Sequence, residues 1–214
     1  VSQFSTLSFE EAIFAATRRI QGAYSLLFIT PRQVYGMRDP YGIRPLQLGK
    51  LDGNYMLASE GPAFDIVGGE CMRDVEPGEL VMISELGVET KLYEPKAQRH
   101  ICVFEYIYLA RPDGTIHGRS IYHVRQRMGE QLAAEHPVDA DMVIGVPDSG
   151  IPAALGYARA AKLPYEEGLI KNRYVGRTFI NPDQVVRDLG VKIKLHPIKE
   201  LIAGKRVIVV DDSI

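Results

Sequence analysis

Val-Ile-Val-Val-Asp-Asp-Ser-Ile, at residues 207–214, is the stretch that decides the fold of the second half of this chain. Four β-branched apolar residues in a row predict a strand inside a parallel sheet, and ligands of such sheets bind beyond the carboxyl ends of the strands. Asp211 and Asp212 follow directly, so they are candidate ligand-binding residues. An acidic pair after a strand is also typical of a solvated turn or a helix N-cap, and the pair alone does not decide between these interpretations.

A second apolar run, Met-Val-Ile-Gly-Val at residues 142–146, leads into Pro-Asp-Ser-Gly at 147–150 and a helical pattern over 151–161. A strand, a turn of small residues and a helix start direct backbone N–H groups and the positive end of a helix dipole at one point. This arrangement favours phosphate or pyrophosphate, although many helix starts with such a turn bind nothing. Its candidate site residues are Asp148, Ser149 and Gly150.

Between these two predicted strands lies Lys-Asn-Arg-Tyr-Val-Gly-Arg-Thr-Phe-Ile-Asn-Pro, residues 171–182, which has neither helical nor strand periodicity. Its cations and hydroxyl groups around a glycine suit a mobile flap that closes on an anion and excludes water. An ordinary solvated surface loop has the same composition. The candidates in this loop are Lys171, Arg173, Tyr174, Arg177 and Thr178.

The first part of the chain is predicted to be a helix followed by antiparallel sheet. Residues 9–20 have apolar positions at helical spacing, and Ser8 with Glu11 forms a capping-box pattern. Six short strands are predicted between Gly, Pro and Asp turns, at residues 24–30, 33–37, 46–50, 55–59, 80–84 and 88–92.

A polar segment at residues 93–98 is the predicted domain boundary. After it, residues 121–135 have helical periodicity with Ser120 as the cap, and Tyr122, Val124, Met128 and Leu132 are among the apolar positions. Strands then alternate with helices, as a parallel sheet with crossover connections requires. The predicted fold class is therefore α+β followed by α/β.

Six motifs resemble the glutamine phosphoribosylpyrophosphate amidotransferase family over nearly the whole chain. They lie at residues 38–46, 73–79, 102–112, 147–150, 171–182 and 207–214. The resemblance implies that residues 1–95 are the C-terminal part of an N-terminal-nucleophile glutaminase sandwich (glutamine amidotransferase type 2). Residues 96–214 would be the N-terminal part of a truncated type I phosphoribosyltransferase parallel-sheet domain.

In this family the glutaminase nucleophile is an N-terminal cysteine, whereas residue 1 here is Val1. We therefore expect an internal fragment that lacks both ends and is inactive by itself, and no residue is assigned a catalytic role in glutamine hydrolysis.

The resemblance implies an amidophosphoribosyltransferase. It would form 5-phosphoribosylamine from phosphoribosyl pyrophosphate and glutamine-derived ammonia, with release of pyrophosphate, in the first committed step of purine biosynthesis. Mg²⁺ would be held by Ser149, Asp211 and Asp212, as hard oxygen ligands suit magnesium. The substrate-binding residues would be Asp148, Ser149, Gly150, Lys171, Arg173, Tyr174, Arg177, Thr178, Asp211, Asp212 and Ser213. Purine nucleotides would act as feedback inhibitors, and the protein would be a homo-oligomer, either a dimer or a tetramer.

The two cysteines, Cys71 and Cys102, are too few for a disulfide framework, and each is expected to be a small buried apolar residue. One subgroup of the resembled family holds an iron–sulfur cluster through four cysteines, the first of which lies in the sequence context of Cys102. The resemblance thus predicts a [4Fe–4S] cluster with Cys102 as one ligand, and its other three thiolates would lie beyond Ile214.

Composition limits the possible partners. A formal net charge of −2 gives no electrostatic reason to expect nucleic acid, and no apolar run is long enough to span a bilayer. Nothing marks export, so a cytoplasmic location is expected.

Two other functions stay open: a regulatory nucleotide-binding module with the same fold, and a salvage phosphoribosyltransferase acting on a base. The antiparallel first part argues against salvage, and the basic loop argues against a pure regulator, because a lid that excludes water matters most where hydrolysis competes.

Four charged residues beside tight turns, Arg38, Asp39, Arg44 and Glu60, are interpreted as structural, with Arg and Asp forming an ion pair.

Overall fold

A computed structural model of the chain describes residues 6–94, 98–174 and 190–212. The chain divides into two compact units. The first comprises Val1–Glu105 with Gly114–Gly118, and the second comprises Tyr106–Asp113 with Arg119–Ile214. Within the described ranges, no helix is long and apolar enough to cross a membrane.

The first unit contains two antiparallel sheets. One sheet has the strand order β1-β2-β6-β7 and the other β4-β3-β5. Helices α1 and α2 and a π-helical turn complete the unit. The bounds are α1 Phe9–Thr17, β1 Ser25–Ile29, β2 Gln33–Arg38, β3 Gln47–Leu51, β4 Asn54–Ala58, α2 Pro62–Ile66, β5 Glu70–Asp74, β6 Glu79–Ser84, β7 Gly87–Leu92, the π-helical turn Glu105–Leu109, which runs on into the second unit, and β8 Thr115–Ile116.

Alternation along β6 explains why the two sheets stack. Leu80 and Met82 pack with Ile13 of α1, whereas Val81 packs with Leu48 of β3. Successive side chains of a strand point to opposite faces, so β6 buries one face under the helix and the other under the second sheet. The six predicted strands are confirmed to within one residue at each end, and the predicted antiparallel layer with them.

The capping box of α1 is also confirmed. Ser8 Oγ accepts a hydrogen bond from the Glu11 N–H at 3.3 Å, and Glu11 Oε2 accepts one from the Ser8 N–H at 2.9 Å. The helix ends at Thr17 instead of Ile20.

Strand β5 and helix α2 were not predicted from the sequence. Glu-Cys-Met-Arg-Asp in β5 does not alternate polar and apolar residues, so periodicity could not reveal this strand.

The turn after β2 shows that Arg38 and Asp39 are structural, but they do not form the predicted ion pair. The buried Arg38 guanidinium donates to the carbonyl oxygens of Arg44, Val75 and Gly42 at 2.8, 2.6 and 2.8 Å. The Asp39 carboxylate accepts from backbone N–H groups, including that of Ile43 at 3.0 Å. Each charge is therefore satisfied by the main chain of the turn.

The second unit contains the predicted parallel pair. Its elements are β9 Arg119–Ser120, α3 Ile121–Glu135, β10 Met142–Gly145, α4 Ile151–Ala161, β11 Leu169–Lys171, β12 Leu195–Pro197, α5 Lys199–Ile202 and β13 Val207–Val210. Strands β10 and β13 run parallel in register from Met142 opposite Val207 to Gly145 opposite Val210. Strands β11 and β12 instead form an antiparallel pair.

Helix α3 has the predicted ends, but its buried face differs from the one expected. The buried residues are Ile121, Arg125, Gln126, Gly129 and Ala133. Met128 and Leu132, predicted as apolar positions, are exposed. The reason is that α3 and α4 cross closely. A Cβ atom on Gly129 would lie 1.8 Å from the Ala153 carbonyl oxygen, so the side of α3 that packs against α4 must carry glycine at this position.

The expectation of two buried cysteines is wrong for Cys71, which is exposed, while Cys102 is half-buried. Cys71 lies on β5, whose first three residues are all exposed.

Strand β13 also departs from the expectation of a fully buried strand, because Val210 is buried but Val209 is 55% exposed.

Candidate active site

The acidic pair and the Pro147–Gly150 turn meet at the carboxyl ends of two neighbouring strands. The Val146 N–H donates to the Val210 carbonyl oxygen at 2.9 Å, which continues the β10–β13 ladder by one residue. A Cβ atom on Gly150 would lie 2.6 Å from the same oxygen. Only glycine therefore lets the turn approach the residue that precedes Asp211.

The start of α4 leaves the backbone N–H groups of Ile151 and Ala153 available, whereas the Gly150 N–H donates to the Val146 carbonyl oxygen at 3.0 Å and Pro152 has no N–H. Gly150 is the N-cap, no side chain caps the helix, and Pro152 occupies the first turn. Uncapped N–H groups at a helix N-terminus attract anions through their hydrogen-bonding capacity and the helix dipole. Asp148 and Ser149 lie in the turn that immediately precedes these groups.

Lys171, the first residue of the basic loop, reaches back to the turn. Its Nζ forms an ion pair with Asp148 Oδ2. Both residues line a cavity of about 550 Å³, which also includes Arg173, Tyr165 and Glu167. The start of the loop and the turn thus share one concave surface.

Two loop candidates beyond Lys171 are exposed. Arg173 is exposed, and Tyr174 is 100% exposed. The Asn172 N–H donates to the Lys194 carbonyl oxygen at 2.7 Å, and the Asn172 side chain accepts from the Tyr174 N–H at 3.0 Å. The loop base is therefore fixed beside β12, while the Tyr174 side chain faces solvent. Three further candidates, Arg177, Thr178 and Ser213, lie outside the described residues.

The acidic pair is electrostatically unfavourable when both carboxylates are ionised. Partial burial raises the pKa of Asp211, and the neighbouring Asp212 charge raises it further, against a hydrogen bond from the Asp212 N–H at 2.8 Å. Across the described ranges, no cation lies within ion-pair distance of either carboxylate. A pair of adjacent hard oxygen ligands without an ion-paired cation suits a divalent cation.

Tyr165 and Glu167 line the cavity but were not predicted as site residues. Tyr165 forms a parallel bridge with Val143, and the Glu166 N–H donates to the Val143 carbonyl oxygen at 3.0 Å. This pairing places residues 165–167 beside the strand that leads into the turn. No periodicity or charge pattern at residues 163–168 indicates it, so only the tertiary pairing reveals their position.

Neither Cys102 nor any other residue of the described parts belongs to a group of three or more His, Cys, Asp or Glu side chains that could hold a metal ion.

A larger cavity, of about 780 Å³, lies in the first unit beside Phe14, Arg18 and Tyr93. It contains none of the predicted site residues, so size alone does not mark the candidate site.

No protein-family model matches the chain. The amidophosphoribosyltransferase of Synechococcus elongatus is 54% identical over 207 residues, which are 95% of this chain and 42% of that protein. The solved structure of glutamine phosphoribosylpyrophosphate amidotransferase from B. subtilis, complexed with ADP and GMP, matches with a TM-score of 0.89 and 46% identity. That match covers 97% of this chain and 46% of the other.

The chain is homologous to the amidophosphoribosyltransferases. A second solved structure, described as the allosteric regulatory enzyme of purine biosynthesis, also matches with a TM-score of 0.89 at 46% identity, over 97% of this chain and 45% of the other. Both units of the chain lie within these matches. The chain spans about two fifths of the length of the curated amidophosphoribosyltransferases it matches.

The homology confirms the family resemblance carried by the six motifs. It also confirms the predicted fold class, since the solved amidotransferases share the architecture over nearly the whole chain.

Proposed function

We propose that the chain is part of an amidophosphoribosyltransferase, which forms 5-phosphoribosylamine from phosphoribosyl pyrophosphate and glutamine-derived ammonia in purine biosynthesis. The observation that carries this proposal is the junction between Val210 and Gly150, which brings the acidic pair to the uncapped start of α4. Anionic phosphate and ribose hydroxyl groups need these two kinds of partner side by side. The homology to amidophosphoribosyltransferases supports the same conclusion.

In this mechanism the chain holds an anionic leaving group and positions the ribose. The backbone N–H groups at the start of α4, with Ser149, would bind pyrophosphate. Asp211 and Asp212 would accept hydrogen bonds from the ribose hydroxyls. Ammonia would then attack the anomeric carbon as the bond to pyrophosphate breaks, and the positive charge that develops on the sugar would lie next to these carboxylates.

The loop that begins at Lys171 would exclude water, the competing nucleophile. Lys171 pairs with Asp148 across the cavity, and we propose that it exchanges this partner for a pyrophosphate oxygen when substrate binds. Arg173 already lines the cavity, whereas the fully exposed Tyr174 would contact substrate only after the loop moves over it. Arg177, Thr178 and Ser213 remain predicted site residues.

Mg²⁺ fits the acidic pair. Magnesium in phosphate-binding sites is usually held by one or two carboxylates together with substrate oxygens and water, so a full cage of protein ligands is not required. Asp211, Asp212 and Ser149 would hold it, and it would neutralise charge on the departing pyrophosphate.

A [4Fe–4S] cluster needs four thiolates, and this chain has only Cys71 and Cys102. Its own thiols do not suffice, so the cluster with Cys102 as a ligand remains a prediction and the proposed mechanism does not use it. The 1–95 and 96–214 domain assignment, the homo-oligomeric state and the cytoplasmic location likewise remain predictions.

The test is pyrophosphate release by the intact protein in the presence of Mg²⁺, phosphoribosyl pyrophosphate and either glutamine or ammonia. Asp211→Asn should reduce turnover about 10- to 100-fold, because hydrogen bonds to charged groups contribute roughly 1.5–3 kcal/mol. Glu200→Gln removes the same charge from an exposed position on α5 and should leave turnover unchanged. Wild-type turnover in Asp211→Asn would contradict the proposed role of the pair.

A regulatory nucleotide-binding module is the second candidate, because the matched B. subtilis structure is a complex with ADP and GMP. Binding of these nucleotides by the intact wild-type protein, without any pyrophosphate release, would favour this function over the enzyme.

A further inference from the structure

Tyr165 is a half-buried aromatic residue at the candidate site to which the proposed mechanism assigns no role. It lines the cavity of about 550 Å³ together with Asp148, Lys171 and Ile151, the first residue of α4. Residues that line this cavity are within reach of a ligand bound at the start of α4. Tyr165 can therefore either enclose such a ligand or bind it directly.

Backbone hydrogen bonds fix Tyr165 beside the strand that leads into the Pro147–Gly150 turn. The Val143 N–H donates to the Pro164 carbonyl oxygen at 2.9 Å, and the Glu166 N–H donates to the Val143 carbonyl oxygen at 3.0 Å. Val143 and Tyr165 thus form a parallel bridge. Because paired parallel backbones run side by side towards the same edge of the sheet, Tyr165 keeps a constant position relative to the turn.

The aromatic ring of Tyr165 is held by the core of the second unit. It packs against the cluster of buried side chains that contains Val143, Ala154 and Val210. Ala154 belongs to α4, and Val210 directly precedes Asp211, so this cluster joins the two elements of the candidate site. A ring packed against a close-packed cluster has little freedom to turn away, so its hydroxyl group is also held in one place.

The hydroxyl group of Tyr165 has no hydrogen-bond partner within residues 6–94, 98–174 and 190–212, and its oxygen is not fully buried. Tyr157, in the same core cluster, differs, because its hydroxyl donates to the His136 carbonyl oxygen at 2.8 Å. Buried tyrosine hydroxyls usually have such a partner. Burial raises the pKa of Tyr165, and the Glu167 charge raises it further, so the hydroxyl keeps its proton at neutral pH. It is therefore an available donor in the cavity wall.

The groups around the cavity favour an anionic oxygen as the acceptor for this donor. The backbone N–H groups of Ile151 and Ala153 and the ammonium group of Lys171 are further donors on the same side of the molecule. Pyrophosphate has several charged oxygens that accept hydrogen bonds, so it can use these donors together. Glu167, which shares the wall, has only acceptors when ionised and cannot bind a phosphate oxygen directly.

We propose that Tyr165 is a substrate-binding residue, whose hydroxyl donates a hydrogen bond to the pyrophosphate group of phosphoribosyl pyrophosphate. This inference rests on the proposed function and adds a residue from outside the turn, the basic loop and the acidic pair. A hydroxyl donor is neutral, so it binds pyrophosphate less strongly than a further cation would and leaves the product free to dissociate.

The test compares Tyr165→Phe with the wild type in the intact protein, because phenylalanine keeps the packed ring and removes only the hydroxyl. Titration calorimetry in the presence of Mg²⁺ measures the dissociation constants of phosphoribosyl pyrophosphate, inorganic pyrophosphate and ribose 5-phosphate. Tyr165→Phe should weaken binding of the first two about tenfold or more, as expected for a lost hydrogen bond to a charged group. Binding of ribose 5-phosphate and the thermal unfolding midpoint should be unchanged.

Tyr55→Phe is the matched control, because Tyr55 is also half-buried but packs against a different core cluster, in the first unit. This substitution should leave all three dissociation constants unchanged.

Unchanged pyrophosphate binding by folded Tyr165→Phe would overturn the inference, and so would weaker binding of ribose 5-phosphate alone. A lower unfolding midpoint with unchanged binding would mean that the hydroxyl serves only the fold. Absence of phosphoribosyl pyrophosphate binding by the wild-type protein would contradict the proposed function itself, whereas wild-type binding without an effect of Tyr165→Phe would contradict only the role of Tyr165.

Discussion

At the scale of single residues, the buried charged side chains of the first unit are satisfied either by main-chain groups or by one oppositely charged side chain. Arg38 and Asp39 are satisfied by backbone groups of their turn. Glu105 is different, because its Oε1 lies 2.6 Å from Arg44 Nη1 and its side chain is only 5% exposed. Burial raises the pKa of Glu105, Arg44 opposes this rise, and Glu60 adds to it.

The raised pKa of Glu105 predicts that substitutions of Glu105 and Arg44 change stability at neutral pH in opposite directions. A carboxyl whose folded-state pKa exceeds its unfolded value favours folding below the unfolded value, and this contribution is lost as pH rises through the folded-state pKa. Glu105→Gln mimics the neutral acid, so its stability relative to wild type should increase between about pH 4 and pH 7.5. Arg44→Gln leaves the buried anion unpaired and should lower stability at about pH 7.5 by roughly 1–3 kcal/mol, since solvent screens the half-exposed arginine.

Urea unfolding at several pH values measures both effects. The interpretation of Glu105 would be wrong if Glu105→Gln lost stability relative to wild type as the pH increased. It would also be wrong if Arg44→Gln were equally destabilised at about pH 4, where Glu105 is largely protonated.

At the scale of elements, the contact between α3 and α4 depends on two glycines. Added Cβ atoms on Gly129 and Gly156 would lie 1.8 and 1.9 Å from backbone oxygens of the facing helix. A backbone atom cannot rotate away as a side chain can, so a methyl group at either position must separate the helices. Because α4 starts at the Pro147–Gly150 turn, such a separation would also displace the candidate site.

Gly129→Ala should therefore destabilise the protein by about 1–3 kcal/mol or more, despite the better helix propensity of alanine. Gly61→Ala is the matched control, because Gly61 has helical backbone angles and the nearest atom to its added Cβ, Gln47 Oε1, lies at an ordinary 3.5 Å. Urea unfolding of both variants measures the difference. Equal stability of the two variants would show that the helices can separate at little cost.

At the scale of the whole molecule, the candidate site lowers stability in exchange for ligand binding. Two adjacent carboxylates without a cation at ion-pair distance in the described parts are unfavourable at neutral pH, and partial burial adds to this. Residues that bind charged ligands often have such a cost, because they are arranged for the ligand and not for the free protein.

Asp211→Asn should consequently raise the thermal unfolding midpoint of the ligand-free protein at about pH 7, by roughly 1–2 °C, because solvent screens part of the repulsion. The raised pKa of Asp211 means that its ionisation opposes folding, so the difference from wild type should vanish as the pH falls below that pKa. A lower midpoint at about pH 7 would mean that the pair is stabilising in the free protein.

The local pattern of the sequence determined most elements and the family. Alternation and turn residues predicted six strands to within one residue, and the capping box located the start of α1. These signals depend on neighbours within a few positions of each other, so they can be read from the chain alone. The Pro-Asp-Ser-Gly and Val-Val-Asp-Asp motifs marked the two strand ends that meet in the structure.

Only the tertiary structure decided which faces and partners those elements use. The buried side of α3 is set by the glycine contact with α4, not by the apolar residues Met128 and Leu132. Arg38 binds carbonyl groups as distant as that of Val75, and Tyr165 reaches the site through its bridge to Val143. These contacts join residues far apart in the chain, and no local pattern encodes them because their geometry exists only after the elements have packed.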